Sequence, residues 1–168
     1  MELEPRFTEA EIADAVARVA SDLVADYADK DPLMVGILTG SFVFIADLVR
    51  AMGIPVGIDF IRARSYGRGT VSSGAVEITK DIEHDITDRH VILVEDILDT
   101  GLTLRFVADR IRAGAPAGVK TCALLVREGN PAPDYMGLWL PSGFIVGYGI
   151  DYAEQYRWLP DIQAVPGT

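Results

Sequence analysis

Residues 91–104 constrain this chain most. Val91-Ile-Leu-Val94 is a short apolar run, mostly β-branched, and reads as a buried strand. Two adjacent carboxylates, Glu95 and Asp96, follow it. Asp99-Thr-Gly-Leu-Thr103 is then a loop of small and hydroxyl residues, and the positions after it are apolar at helical spacing. A strand that ends in acids and feeds a small-residue loop opening a helix has the makings of a site. The loop offers backbone N–H groups and hydroxyls, and the helix N-terminus offers positive potential, so an anion is welcome there. A capped β-to-α turn that served structure alone would have no need of two carboxylates beside an anion cradle.

The same order recurs earlier. Residues 33–38 form a second apolar strand, Thr39-Gly40-Ser41 a small-residue loop, and residues 42–50 a helix stopped near Gly53 and Pro55. Gly40 permits close backbone approach, and the N–H groups around Ser41 can face an anion. The loop is neither a Gly-x-Gly-x-x-Gly dinucleotide fingerprint nor a Walker A loop, because both motifs are absent. Before it, Thr8 and Glu11 make a capping-box pattern, and Ile12, Val16, Val19, Leu23 and Tyr27 mark one face of a helix ended by Asp31-Pro32. Residues 56–63 read as a strand. Residues 64–74 hold three glycines and four serine or threonine residues and read as a loop or lid, with Tyr66 as cover and Ser65 as an anion contact. Residues 75–79 pair back as an edge strand, and 80–89 form a charged, solvated loop. A helix face at Leu104, Val107, Ala108 and Ile111 stops at Gly114. Residues 119–126 are a buried strand ending at Arg127, 134–140 a short aromatic segment, and 144–146 a brief strand.

Strands alternating with helices predict an α/β fold with a mostly parallel sheet covered on both faces. Ligands of such sheets bind beyond the carboxyl ends of the strands, so Thr39, Glu95, Asp96, Asp99 and Arg127 are expected on one rim. The 168 residues suit one domain spanning 1–168. No apolar run reaches the roughly 20 residues of a membrane span, and residues 1–6 lack the order of a signal peptide. The lone Cys122 lies in an apolar run and reads as core, which makes a reducing, cytoplasmic setting the expectation. A net charge of −10 disfavours nucleic acid as a partner. With one cysteine and two histidines, zinc is not expected, whereas the many carboxylates leave oxygen-coordinated magnesium open.

Taken together, these residues resemble the hypoxanthine-guanine phosphoribosyltransferases. Residues 91–103 are similar to that family's binding signature for phosphoribosyl pyrophosphate. Gly40-Ser-Phe-Val-Phe44, Ser65-Tyr66, Phe144-Ile-Val-Gly-Tyr148 and Asp151-Tyr152 with Arg157 extend the resemblance over about 35–159. It implies the type I phosphoribosyltransferase fold with a small C-terminal base-binding hood. It also implies purine salvage: transfer of the phosphoribosyl group to hypoxanthine or guanine, giving the nucleoside 5′-monophosphate and pyrophosphate. Asp99 would be the general base. Glu95, Asp96, Asp99, Thr100, Gly101, Leu102 and Thr103 would hold the ribose phosphate, and Thr39, Gly40, Ser65, Tyr66 and Arg157 the pyrophosphate. Arg127, Phe144 and Ile145 would bind the purine. Magnesium would sit near Glu95, Asp96 and Asp151, and the family commonly forms dimers and tetramers. The chain departs from the family's usual lysine at Thr39 and at Arg127, which keeps a xanthine-preferring enzyme and a non-catalytic nucleotide sensor as alternatives.

Overall fold

The computed structural model describes residues 2–66 and 75–167, with only the backbone at Ser65, Tyr66 and Ala75. The expected lid therefore lies mostly outside the described residues, as do the side chains of Ser65 and Tyr66. The elements run β1 (Glu4–Phe7), α1 (Glu9–Tyr27), β2 (Leu33–Leu38), α2 (Phe42–Met52), β3 (Gly57–Tyr66), β4 (Ala75–Lys80), β5 (His90–Leu98), α3 (Leu102–Arg112), β6 (Gly118–Arg127), β7 (Tyr135–Leu140), β8 (Phe144–Val146) and β9 (Ile162–Val165).

Six strands form the central sheet in the order β4-β3-β2-β5-β6-β7. All its pairings are parallel except that of β4, which runs antiparallel at the edge. The expected α/β architecture is thus observed. Side chains alternate between the faces of β5, so Ile92 and Val94 pack with α1 and α2 while Val91 and Leu93 pack with α3. Cys122 lies in the first of these cores, fully buried, and burial pushes its thiol far above the usual range. Helix α1 begins with the expected capping box, Thr8 Oγ1 accepting from the Glu11 backbone and Glu11 accepting from the Thr8 N–H. No helix among the described residues is long and apolar enough to cross a membrane.

Four local expectations are corrected. First, β5 does not end at Val94: Glu95 pairs with Ala123 and Ile97 with Leu125, so both acids lie inside the strand. The ladder with β6 overrides the polarity of the two side chains. Second, β3 continues through Tyr66 because β4 supplies partners as far as Ala75. Third, the 81–89 connection is not merely solvated, since Ile86 is buried and Asp59 accepts from the N–H groups of Glu83 and His84. Finally, the hood is not purely C-terminal. It is a three-stranded sheet ordered β1-β9-β8, with Glu4 opposite Ala164 and Phe144 opposite Val165.

Candidate active site

Adjacent β2, β5 and β6 bring the ends of three strands to one edge of the sheet, as the topology predicted. At its centre, β5 divides its two acids. Successive side chains of a strand point to opposite faces, so Glu95 and Asp96 serve different halves of the site. Glu95 lines a recess of about 70 Å³ with Ile97, Asp99, Thr100, Gly101, Thr103 and Leu104, at the N-terminus of α3. Leu102 begins that helix and is exposed. Its first N–H groups and the hydroxyls of Thr100 and Thr103 surround the recess, which is the geometry of an anion cradle. Burial, with the nearby charge of Asp96, pushes the Glu95 carboxyl up to about 8.

Asp96 looks the other way, onto the loop between β2 and α2. A Cβ placed on Gly40 would stand 1.9 Å from Asp96 Oδ2, so only glycine allows the loop to lie against that carboxylate. On the loop's other side, Gly149 has φ +96° and its missing Cβ would meet the Gly40 carbonyl at 2.4 Å. Ser41 is fully buried and donates to the Ile37 carbonyl at 2.6 Å, which fixes the turn into α2. Burial also pushes the Asp96 carboxyl up, to about 6, against the opposing pull of backbone N–H groups and the Arg157 charge; Asp151 raises it further.

Asp151 and Arg157 complete that half. Arg157 Nη2 lies 2.7 Å from Asp151 Oδ1, and its Nη1 donates to the Gly149 carbonyl at 2.7 Å. The second Asp151 oxygen accepts from the Glu154 N–H at 2.7 Å. Asp96, Asp151, Arg157 and the Thr39–Gly40 turn therefore form one polar group. Among the described residues, no three His, Cys, Asp or Glu side chains come close enough to hold a metal unaided.

The third part lies across β5 and β6. Arg127 Nε donates to Asp99 Oδ1 at 2.8 Å, while Nη1 donates to the carbonyls of Pro141 (2.9 Å) and Gly143 (2.8 Å). Among the described residues this leaves Nη2 unspent, and it aims the guanidinium between the phosphate recess and the hood. Phe144 stands on the hood side, 41% exposed, and meets Tyr152 edge to face with ring centroids 5.6 Å apart. The Ile145 side chain is buried behind it, which leaves the strand's backbone as the part of Ile145 available to a ligand.

Asn130 and Arg62, which the sequence did not single out, join the site, as does Tyr152. Asn130 donates from Nδ2 to the carbonyls of both Asp99 and Arg127. Tyr152 supports Phe144, and Arg62 donates to the Thr39 hydroxyl. Asn130 lies in a loop of Gly and Pro with no periodicity to mark it. Arg62 lies within the run 56–63 that reads as a strand; its place on a strand face is the signal that could have found it.

Comparison with known proteins follows the same outline. The phosphoribosyl transferase domain family matches residues 7–153. Hypoxanthine-guanine phosphoribosyltransferase of Streptococcus pneumoniae is 44% identical over 156 residues, covering 90% of this chain and 87% of that protein. Its Bacillus subtilis namesake is 38% identical over 159 residues, covering 92% and 88%. A crystal structure of a hypoxanthine-guanine phosphoribosyltransferase from Bacillus anthracis, with a HEPES molecule in the active site, superposes with a TM-score of 0.91 at 41% identity, covering 98% of this chain and 99% of that one.

Proposed function

The chain belongs to the hypoxanthine-guanine phosphoribosyltransferase family, and from that premise we propose how its residues transfer the 5-phosphoribosyl group of phosphoribosyl pyrophosphate to hypoxanthine or guanine. A bond forms between a purine ring nitrogen and the ribose anomeric carbon. The bond from that carbon to the pyrophosphate oxygen breaks, and the purine loses a proton. The observation that carries the assignment is the Arg127–Asp99 pair. It joins the phosphate recess of α3 to the aromatic wall of the hood at a single carboxylate, where both reacting groups have to meet.

The 5′-phosphate is held by the N–H groups at the start of α3, from Gly101, Leu102 and Thr103, and by the hydroxyls of Thr100 and Thr103. Glu95 and Asp96 accept from the ribose hydroxyls, one from each side of β5. Phe144 stacks on the purine and the Ile145 backbone reads its edge. Arg127 presents Nη2 to the 6-oxo group, its orientation set by Pro141 and Gly143. Asp99, adjacent to that guanidinium, accepts the ring proton as the new bond forms. The carboxylates also stabilise positive charge on the ribose as pyrophosphate departs. Thr39, Gly40 and Arg157, with Ser65 and Tyr66, take the pyrophosphate side.

Magnesium fits the donor set. The candidate ligands Glu95, Asp96 and Asp151 are all oxygen donors, and this cation usually binds through one or two carboxylates together with substrate phosphates, not in an all-protein cage. Asp151 and Asp96 would hold it on the pyrophosphate side and Glu95 on the ribose side. When bound it neutralises phosphate charge and makes pyrophosphate a better leaving group. A cytoplasmic homo-oligomer, dimer or tetramer, belongs to the same proposal, with its mass in solution as the check.

Incubating the protein with magnesium, phosphoribosyl pyrophosphate and hypoxanthine, guanine or xanthine tests the assignment. Turnover of the first two is expected. No nucleotide from any base would overturn it. The relatives' names favour this activity over a xanthine preference or a non-catalytic role.

A further inference from the structure

Two of the guanidiniums at the carboxyl edge of the sheet are committed to acids of the site. Arg127 is held by Asp99 and two carbonyls, and Arg157 by Asp151 and the Gly149 carbonyl. Arg62 is different. It is half-buried in the middle of β3, level with the end of β2, and its side chain has one partner among the described residues, the neutral hydroxyl of Thr39, at 3.4 Å from Nη2. A guanidinium carries five N–H donors, and taking its charge partly out of water without a carboxylate or phosphate opposite is costly. No carboxylate among the described residues supplies the missing partner.

Its placement says what that partner is. Arg62 is opposite Leu38 in the β2–β3 ladder, so its backbone is level with the start of the Thr39–Gly40 turn. It shares a strand face with Phe60, which packs in the core that α1 and α2 cover. That is the side of the sheet on which Asp96 lies against Gly40. The rim there carries Asp96 and Asp151, and Asp151 is neutralised by Arg157. In a chain of net charge −10, an entering diphosphate meets an acidic edge. A planar fork with unspent donors matches phosphate oxygens well.

We propose that Arg62 binds the diphosphate of the substrate and the pyrophosphate released from it, with the Thr39 hydroxyl orienting its guanidinium. This rests on the phosphoribosyl-transfer assignment above. Thr39 then acts as a positioning residue, and the cation of this turn is delivered from the neighbouring strand.

The test compares wild type with Arg62→Gln and Arg62→Lys. Steady-state kinetics give KM for phosphoribosyl pyrophosphate and for hypoxanthine, and magnesium-containing calorimetry gives pyrophosphate affinity directly. Arg62→Gln is expected to raise KM for phosphoribosyl pyrophosphate and to weaken pyrophosphate binding, each by about tenfold or more, while KM for hypoxanthine changes less than about twofold. Arg62→Lys, which keeps the charge and loses the fork, is expected to fall between the two. A wild type that turns over, beside an Arg62→Gln protein with unchanged phosphoribosyl pyrophosphate and pyrophosphate constants, overturns the Arg62 assignment and leaves the activity standing. A wild type that shows no turnover but loses pyrophosphate affinity on Arg62→Gln overturns the activity and keeps the site. A wild type that binds no pyrophosphate overturns the site. A parallel rise in hypoxanthine KM, with a lower melting temperature in both variants, would make Arg62 a structural residue and also overturn it.

Discussion

At Asp99 the carboxylate accepts from Arg127 Nε while the backbone carbonyl accepts from Asn130. The side chain is thereby aimed and its loop is tied to β6. Asp99→Asn keeps this shape and removes the proton acceptor. It is expected to lower kcat by about a hundredfold or more, with KM for both substrates moving far less; an unchanged kcat in steady-state assays would contradict the base assignment. Glu95 and Asp96 give a second prediction, one of pH. Their folded-state carboxyls stand at about 8 and about 6, above the ordinary values of 4.5 and 3.8. The stability tied to their protonated forms is therefore complete below the ordinary range and is lost as pH rises through 6 and then 8. In metal-free, ligand-free protein, Glu95→Gln is expected to melt at a higher temperature than wild type above about pH 8, with the gap closing near about pH 4. Thermal melts at several pH values check this, and magnesium with phosphoribosyl pyrophosphate should narrow the gap by favouring the ionised wild type.

The hairpin of β3 and β4 depends on a buried carboxylate. Asp59 is 6% exposed and accepts from the N–H groups of Phe60, Glu83 and His84 and from the His84 ring, with Lys80 3.7 Å away. These bonds hold its carboxyl far below the usual range despite burial. Asp59→Asn leaves several donors poorly met and is expected to cost about 2–3 kcal/mol in denaturant unfolding. Because the carboxylate's folded pKa is depressed, its contribution is present above the ordinary carboxylate range and fades as pH falls below about 4, so the difference from the variant should shrink there. None of this was visible in the sequence, where residues 80–89 showed only charge. β2 and α2, by contrast, were legible because the apolar run, the small-residue loop and Gly53 each signal locally. The limits of β5 were not, since what extends the strand through Glu95 and Asp96 is pairing with β6, a contact across nearly thirty residues of chain. β1 and β9 were missed for the same reason in stronger form. Each is four residues long and acquires its strand character from pairing, β1 with β9 and β9 with both β1 and β8. At the site, the phosphate recess was readable because strand, loop and helix are contiguous. Arg62 and Asn130 act through partners that only the fold brings near.

Across the molecule, the base-side wall draws on both ends of the chain. Phe144 stands on β8, which pairs with β9, which pairs with β1. Removing residues 162–167 is expected to leave the central sheet formed while weakening purine binding more than phosphoribosyl pyrophosphate binding. Separate titrations of the two substrates would show the split. The pairing of Glu4 with Ala164 has another consequence, for the order in which the chain can be written. β1 and β9 are neighbours in one sheet, so a short flexible linker from Gly167 to Glu2 would join them, and new ends could open at the exposed Ala28–Asp29 turn. In such a circular permutant β9, β1 and α1 follow one another, and the hood becomes a local meander in place of a contact between opposite ends. It is expected to keep the activity and to refold faster than the natural order, since the longest-range pairing has been made short. In the permutant, the base-side wall would take shape around a hairpin.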